Sequence, residues 1–513
     1  MSGYDVTVEP WIPVRMLTGE SKKLGLLELF KNAHKIERLD RMNAMQEYSV
    51  YRFLTLFLTA VYKPYEIGDV IDIFLDTKQI DMQKVDSYIA ECKNKGVSFD
   101  LFDKKRPFLQ SPFDSGYDSE KTIQSIAVLD VTRPCGNDAV HFDHTFIENA
   151  SMSFDKAVIN LLAAQIFCVH EKEGAKADRP SNVNGAPPIF FIPQGANLFE
   201  TLILSLWPEK CMINIKSVPT NKENIELWRN TRIVEPEKEV TRINEFYGMI
   251  FPARRILLIR DNENDTVLTK CYYRAGLNFV GYDSWNDFYV AYYYDDKGRH
   301  SIKPSFSKEL WRNIGTIYAL VHTNKNNQTL SVVGQYEKIM KEQDNSIMSM
   351  LSFGVVTNQA SYLDIQRGEI KLDTRISQDT EKIEQIKVAI QTTEEIAKYL
   401  RATLNDIGKK IHNENYTKSN LDSIIHSYYE ACEKDFYNFS DKLAVTDEDE
   451  QRVSCLDEYK KTIRKNALDC FNKFCDLLCS TLDKLMEAEG LKIKFIVGIA
   501  KKLNLQSKEH GNE

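Results

Sequence analysis

The last third of the chain carries an apolar pattern that leaves few choices of fold. Within residues 379–412, apolar side chains recur every three or four residues, with only Thr393 interrupting them, at Ile383, Ile386, Ile390, Ala397, Leu400, Leu404, Ile407 and Ile411. Residues 421–443 repeat this spacing. Such a period places the apolar side chains along one stripe of a helix, and each stripe has to be buried. Together with two further helical segments, residues 447–486 and 491–503, the pattern predicts a four-helix bundle.

The residues before this pattern mix helical and strand signals without regular alternation. Two prolines flank Trp11-Ile12, which predicts an edge strand over residues 6–14. Residues 43–62 carry apolar side chains on nearly every helical face and predict a buried helix. Residues 225–335 favour strands, including the aromatic run 288–294. For its tyrosines 292–294, a strand is favoured over a base-stacking platform.

The two patterns together predict the fold class and the domain organisation. The fold is expected to be α+β, because helices and strands do not alternate regularly before the bundle. Residues 1–372 are expected to form a large mixed domain, and residues 373–513 an all-α C-terminal four-helix bundle.

Composition excludes several classes of protein. The 513 residues are 43% hydrophobic and 27% charged, which is typical of soluble globular chains. No apolar run approaches the roughly 18 residues that a membrane span needs, and the N-terminus lacks a signal peptide, so a cytoplasmic protein without a membrane partner is expected. The net charge of −8 argues against nonspecific coating of nucleic acid, although it leaves a local basic patch open.

The sequence also predicts a protein without a cofactor or a catalytic motif. None of the ten cysteines forms a pair at the two-residue spacing of zinc ribbons and redox motifs, so the thiols are expected to be reduced. The chain has no phosphate-binding loop, no dinucleotide fingerprint and no HExxH pair. The missing phosphate-binding loop argues against an intrinsic motor.

One short run between the two predicted domains combines a strand end with two amides. Residues 354–357 predict the end of a strand, and the turn that follows contains Asn358, Gln359, Ala360 and Ser361. Amide side chains both donate and accept hydrogen bonds, which suits the recognition of a polar surface such as base edges. A solvated turn is the alternative interpretation of these residues.

Several separated segments, taken in order, resemble a known family. They are EPWIPV (9–14), DKKRPFLQ (103–110), GNDAVHFDH (136–144), PARRILLI (252–259), ELWR (309–312) and TNQASYLDIQRGEI (357–370). The ordered set is similar to the CasA family, the large subunit of the type I-E CRISPR Cascade surveillance complex. This resemblance runs from about Val6 to Leu503.

The resemblance implies a function as well as a fold. Members of this family have an α+β domain followed by a four-helix bundle, and they are not enzymes. They work with the other Cascade subunits and crRNA, recognise the protospacer-adjacent motif in double-stranded target DNA, start its unwinding, and provide a platform for the type I helicase-nuclease. This chain is therefore expected to have those partners and not to be an enzyme.

The resemblance also assigns roles to residues, most directly at the 358–360 tip. There Asn358 would hydrogen-bond in the minor groove, Gln359 would be the wedge that parts the first base pairs, and Ala360 would be small enough to permit close contact. Less direct candidates for DNA binding lie in three other places. They are His141, Phe142 and Asp143 in the 136–144 loop, Gly174 and Lys176 in a 171–185 loop that keeps only Gly174 and Gly185 of the family's glycines, and either Lys270 or Arg274 as a basic residue.

Two other functions remain open at this point. His141, Asp143 and His144, with His170, would suit a metal-dependent nuclease, but the sequence offers no further carboxylate motif beside them. A protein-binding scaffold that never contacts DNA is the third hypothesis.

Overall fold

The computed structural model describes most of the chain. The described residues are 3–130, 150–169, 171–173, 177–179, 181–212, 227–229, 234–260, 262, 266–296, 298–306, 308–323, 331–343, 345–358, 361–412, 418–478 and 482–503. They divide into an N-terminal unit, residues 1–304 and 326–371, and a C-terminal unit, residues 305–325 and 372–513.

The regular elements of both units are numbered in chain order. The strands are β1 Ile12–Met16, β2 Ser21–Leu24, β3 Ile36–Leu39, β4 Ile123–Ser125, β5 Met152–Ser153, β6 Glu171–Glu173, β7 Ala177–Arg179, β8 Phe190–Pro193, β9 Glu239–Val240, β10 Arg254–Ile259, β11 Val267–Leu268, β12 Lys270–Ala275, β13 Asn278–Phe279, β14 Tyr292–Asp295, β15 Gly298–Ser301, β16 Ile347–Asn358 and β17 Ser361–Asp373. The α-helices are α1 Leu26–Asn32, α2 Ala44–Tyr62, α3 Ile67–Asp76, α4 Met82–Asn94, α5 Phe154–Ile166, α6 Leu198–Leu204, α7 Glu245–Met249, α8 Ile314–Thr323, α9 Val332–Glu342, α10 Thr374–Ser377, α11 Thr380–His412, α12 Lys418–Ala444, α13 Asp449–Leu478 and α14 Leu482–Lys502.

Helix α2 is the centre of the N-terminal unit, as its apolar faces predicted. Every residue from 47 to 60 is buried. The helix begins with a capping box, in which the Asn43 side chain accepts from the Gln46 amide (3.0 Å) and the Gln46 side chain accepts from the Asn43 amide (3.4 Å). Its C-cap residue is Lys63, whose left-handed backbone (φ 48°) ends the helix.

The first strand was predicted wrongly as an edge strand. Strand β1 lies in the middle of a three-stranded sheet, between β2 and β3. Pro13 is tolerated there because its carbonyl accepts from the Asp40 amide (3.0 Å), while the neighbouring residues supply the remaining ladder bonds. The proline therefore removes one backbone N–H donor from the sheet without shifting the strand pairing at that position.

Two further sheets of the N-terminal unit carry the candidate site. In one, β16 lies between β17 and β8; in the other, β12 lies between β10 and β4. The tyrosine run forms strand β14 as predicted, but residues 288–291 before it are not part of a strand.

The four long helices α11 to α14 pack on one another in the C-terminal unit, so the α+β fold class with a C-terminal helical bundle is confirmed. The third and fourth helices differ from the prediction, since α13 ends at Leu478 and α14 already begins at Leu482. Thr393, the polar break in the pattern, is fully buried. Its hydroxyl donates to the Ala389 carbonyl (2.8 Å) and bonds the Tyr459 hydroxyl (2.8 Å), which satisfies it within the core.

Residues 305–325, which the sequence analysis assigned to the N-terminal domain, belong to the C-terminal unit. Helix α8 lies against α11, where a Cβ on Gly315 would stand 3.2 Å from the Lys387 side chain. Just before α8, the Arg312 guanidinium donates to Glu394 (2.9 Å). The sequence analysis could not predict this packing, because α9, β16 and β17 separate residues 305–325 from the bundle helices along the chain.

Among the described residues, no helix combines the length and the apolarity needed to cross a bilayer.

Candidate nucleic-acid interface

Asn358, the described residue of the predicted tip, lies at the exposed end of strand β16, which forms a long hairpin with β17 in the N-terminal unit. Strand β16 pairs with β8 only over Met350–Phe353, so its last five residues extend roughly 16 Å beyond that partner. Burial falls along this extension: Gly354 and Val355 are buried, Val356 and Thr357 are half-buried, and Asn358 is exposed. The hairpin therefore carries Asn358 from the core into solvent.

Asn358 was predicted in a turn, and that prediction is wrong by one residue. It is the last residue of β16, and Ser361 is the first residue of β17. Because only two residues separate these hydrogen-bonded strands, the pair is an antiparallel hairpin. Gln359 and Ala360, the predicted wedge and its small neighbour, lie outside the described residues.

A glycine allows the base of this hairpin to pack closely. A Cβ at Gly354 would come within 2.9 Å of the Pro304 Cβ and 3.5 Å of Ile189. Only a residue without a side chain fits this contact without a shift of the neighbours. The extension therefore starts from a tightly packed position.

Two side chains of β17 tie the hairpin to the core. Arg367 forms a two-pronged ion pair with Glu47 of α2, with N–O distances of 2.8 and 3.3 Å. Burial raises the pKa of Glu47 above its ordinary value, and the Arg367 charge opposes that rise. Nearer the tip, the Tyr362 hydroxyl donates to the Phe167 carbonyl (3.1 Å). These anchors hold the stem while leaving Asn358 free of the core.

The Tyr362 contact also brings the hairpin near a second candidate segment. Phe167 follows α5, and β6 begins four residues later at Glu171, a separation of at most about 14 Å. The expected 171–185 loop is in part a β-hairpin, because β6 and β7 pair antiparallel. Gly174 and Lys176 lie between these strands and outside the described residues. Gly185 adopts a left-handed turn (φ +65°) beside the ring of Tyr282.

Strand β12, with both basic candidates, lies beside β7. Lys270, Tyr272 and Arg274 point away from the core, whereas Cys271 and Tyr273 between them are buried. Arg274 donates to the Tyr117 carbonyl (2.8 Å), and its buried Nε has no hydrogen-bond partner among the residues that the structure describes. Lys270 is exposed. Of the two, the structure leaves Lys270 available to a phosphate and commits Arg274 to the protein.

The structure offers no support for a metal centre in the part of the chain it describes. No group of three or more metal-ligating side chains occurs among those residues. Burial raises the pKa of the Cys271 thiol to about 12, so it stays protonated at neutral pH and is a poor ligand. His141, Phe142, Asp143 and His144 of the predicted loop lie outside the described residues.

Sequence reasoning missed the residues that support the tip. Tyr362 and Arg367 both belong to the TNQASYLDIQRGEI segment, so the resemblance marked the segment without assigning them a role. Glu47 lies 320 residues before its partner Arg367, and no local pattern connects the two. A glutamate in a helix predicted to be buried was the signal available, since buried carboxylates are almost always paired.

Comparison with known proteins shows which family and which solved structures this chain resembles. A family model described as CRISPR-associated protein Cse1 matches residues 5–470. A CRISPR-associated protein CasA/Cse1 of Thermus thermophilus is 24% identical over 443 residues, covering 80% of this chain and 79% of that protein. Cse1 of Thermobifida fusca has the same fold, with a TM-score of 0.77 at 16% identity over 98% of this chain and 99% of that chain. A chain of a CRISPR RNA-guided surveillance complex matches with a TM-score of 0.71 at 16% identity, over 96% and 100% of the two chains.

The structural matches define the class of protein: a mixed α+β unit combined with a C-terminal helical bundle, as in solved Cse1 structures. Because the family model covers most of the chain, this protein belongs to the Cse1 family of CRISPR-associated proteins. The family expected from the sequence is therefore confirmed.

Proposed function

We propose that this chain is the large subunit of a crRNA-guided antiviral DNA surveillance complex. In this proposal it recognises the protospacer-adjacent motif through the minor groove and starts duplex unwinding. It also recruits the helicase-nuclease. Family membership and the likeness to a chain of a CRISPR RNA-guided surveillance complex support the first part. The observation that carries DNA recognition is the exposed Asn358 at the end of a hairpin whose stem is anchored to the core.

The chemistry of the tip suits the minor groove. That groove presents few distinguishing groups, so proteins that bind there rely on amide side chains, close backbone approach and inserted wedges. Asn358 supplies an exposed amide. Gln359 would enter the base stack and Ala360 would allow close contact. Opening the first step costs a few kcal/mol, which guide pairing and phosphate contacts offset.

A wedge needs an anchored stem, because the base stack resists insertion and would otherwise displace the hairpin. Arg367 resists displacement of β17 through two hydrogen bonds to one carboxylate, a geometry that fixes direction as well as distance. The exposed Lys270 would bind a backbone phosphate near the same region.

Replacing the tip amides tests this proposal. In the reconstituted complex with crRNA, Asn358→Ala is expected to reduce the preference for duplex with the correct motif over duplex without it by roughly tenfold, since one good amide contact is worth about 1–3 kcal/mol. Gln359→Ala is expected to slow strand opening, measured by the fluorescence of 2-aminopurine placed beside the motif. Asn94→Ala, at an exposed asparagine at the end of α4, is the matched control and should change neither quantity. Undiminished motif preference in Asn358→Ala and Gln359→Ala would favour the protein-binding scaffold.

The two basic candidates are separated by the salt dependence of duplex binding. Lys270→Met is expected to reduce the slope of log K against log salt by about 0.9, the value for one lost phosphate contact. Arg274→Met should leave that slope unchanged, because this guanidinium bonds the Tyr117 carbonyl. A reduced slope in Arg274→Met with an unchanged slope in Lys270→Met would reverse the assignment.

A further inference from the structure

A polar cavity in the N-terminal unit is lined by residues that the proposed function does not use. Its volume is about 350 Å³. The lining combines aromatic rings, cationic side chains and small polar groups, among them Tyr282, Trp285, Tyr293, Arg299 and Lys303. We call it the Tyr282–Tyr293 pocket. A cavity of this volume accepts one small ligand of nucleotide size.

Hydrogen bonds hold the aromatic walls in place. The Tyr282 hydroxyl bonds the Ser181 hydroxyl (2.9 Å), and the Trp285 indole donates to Asn184 Oδ1 (3.1 Å). The Tyr282 side chain is still 38% exposed, so part of its ring faces the opening. On strand β14, the Tyr293 ring is half-buried and lies 5.5 Å from the His300 ring of β15. Each tyrosine therefore keeps part of its side chain accessible at the pocket.

Two basic side chains line the pocket. Arg299 lies over the Tyr292 ring at 4.6 Å and donates to the Tyr282 carbonyl (3.0 Å), which orients its guanidinium along the wall. Lys303 is the second basic group; its ammonium donates one hydrogen bond to the Ala186 carbonyl, which leaves two of its three N–H donors for a ligand. Burial lowers the pKa of Lys303 to about 8, which still leaves most of its amine charged at neutral pH.

The charge at the pocket is therefore predominantly positive. Asp283 is the one carboxylate among the described residues that line the pocket. The neighbouring Asp287 is turned into the core, where it pairs with Arg52. An anionic ligand is thus favoured over a cationic one.

We propose that the Tyr282–Tyr293 pocket binds one unpaired nucleotide of a single-stranded nucleic acid, with the base stacked on the tyrosine rings and a phosphate beside Arg299 and Lys303. This combination of aromatic faces with cations is how proteins bind single strands without sequence preference. A bare anion would leave the ring faces unused, and an apolar ligand would leave the cations unused. The tyrosine run of β14 is then both a strand and part of a stacking platform. The inference goes beyond the proposed function, which concerns duplex DNA at the Asn358 tip.

Binding of short single strands to the full chain tests the proposal. Fluorescein-labelled dT10 and U10 are the probes, with anisotropy as the readout. Tyr293→Ala is expected to weaken binding by roughly 5- to 100-fold, the range for loss of one stacked base, whereas Tyr293→Phe keeps the ring and should bind nearly as the wild type does. Lys303→Gln should reduce the salt slope by about 0.7, the single-strand value for one phosphate. The relative affinity for dT10 and U10 shows whether DNA or RNA is the better ligand.

Tyr65→Ala is the matched control. Tyr65 is another aromatic residue of the N-terminal unit, 55% exposed and with Lys210 4.9 Å above its ring, yet it lines no part of this pocket. It should leave binding unchanged. Photocrosslinking of an oligonucleotide that contains 5-bromodeoxyuridine is expected at Tyr282, Trp285 or Tyr293. Thymidine monophosphate should compete with the probe better than the same concentration of inorganic phosphate.

Several results would overturn the pocket proposal: no binding of either probe by the wild-type chain, equal losses in Tyr65→Ala and Tyr293→Ala, crosslinks elsewhere only, or equal competition by inorganic phosphate. Tyr293→Phe separates the loss of a stacking face from misfolding, because it keeps the ring volume. The motif preference of the duplex should not change in Tyr293→Ala. Failure of the pocket is therefore distinguishable from failure of the Asn358 tip.

Discussion

Arg52→Met is expected to lower the free energy of unfolding of the N-terminal unit by about 3–5 kcal/mol, because it leaves a buried carboxylate without its cation. The Arg52 and Asp287 side chains are 1% and 0% exposed, and their nearest N–O distance is 2.9 Å. Arg52 also donates to the Tyr48 hydroxyl (2.7 Å) and to the Met249 carbonyl (2.6 Å). Burial opposes charging, yet the Asp287 and Tyr48 contacts hold the pKa of Arg52 above its ordinary value.

Hydrogen bonds connect this ion pair to residues that line the proposed Tyr282–Tyr293 pocket. Asp287 accepts from Asn184 (3.1 Å), which in turn accepts from Trp285 (3.1 Å), and both of these residues line the pocket. Loss of Arg52 is therefore expected to weaken single-strand binding together with stability. Urea unfolding followed by tryptophan fluorescence measures the effect, since four of the five tryptophans lie in the N-terminal unit.

Two variants control the Arg52 measurement. The double variant Arg52→Met with Asp287→Asn removes both charges and should be more stable than Arg52→Met alone. Lys95→Met breaks an exposed pair with Glu91, whose side chains are 57% and 41% exposed, and should cost less than about 0.5 kcal/mol. A loss of similar size in Arg52→Met and Lys95→Met would show that the buried pair carries no special role.

Arg255→Met is expected to cost a comparable amount, about 3–5 kcal/mol, for the same physical reason at a different place. Arg255 of β10 and Asp118 are each 1% exposed. The guanidinium donates Nε to Asp118 Oδ1 (2.9 Å) and Nη2 to the other carboxylate oxygen, and it also donates to the Pro112 (2.7 Å) and Val234 (3.1 Å) carbonyls. Because β10 pairs with β12, this network supports the strand that carries Lys270.

Arg255→Lys distinguishes charge from geometry. It keeps the positive charge, but one ammonium group cannot reach both carboxylate oxygens and the two carbonyls, so a loss of more than about 1 kcal/mol is expected. Lys238→Met, which breaks the exposed pair with Glu235 (55% and 48%), is the control in the same unit. The same urea titration gives all three values. Full stability of Arg255→Lys would mean that charge alone is required.

The bundle shows how far a local pattern can carry a prediction. Apolar residues at three- and four-residue intervals identified four helical segments, because a helix repeats its faces every 3.6 residues whatever it packs against. The pattern could not place the end of α13 or the start of α14, since both stretches are helical in character and the break depends on local termination. Nor could it explain Thr393, whose partner Tyr459 comes from another helix.

The candidate site shows the opposite case. The family resemblance assigned a DNA-binding role to Asn358 and its neighbours. The structure shows Asn358 exposed at the end of β16, as a DNA contact would require. The anchors Tyr362–Phe167 and Arg367–Glu47 join residues 195 and 320 positions apart, so no window of the sequence contains both members of either pair. The preference for Lys270 over Arg274 likewise depends on the Tyr117 carbonyl, which lies 157 residues before Arg274.

The sequence by itself determined the family, the α+β class and the helical C-terminal region, because these depend on local periodicity and on motifs in a fixed order. Only the tertiary structure decided that β1 is a central strand, that residues 305–325 join the bundle, and that aromatic and cationic residues from separate segments line one pocket. These features arise when distant segments bury polar groups and charges against one another, and the cost of leaving such groups unpaired selects one partner among many.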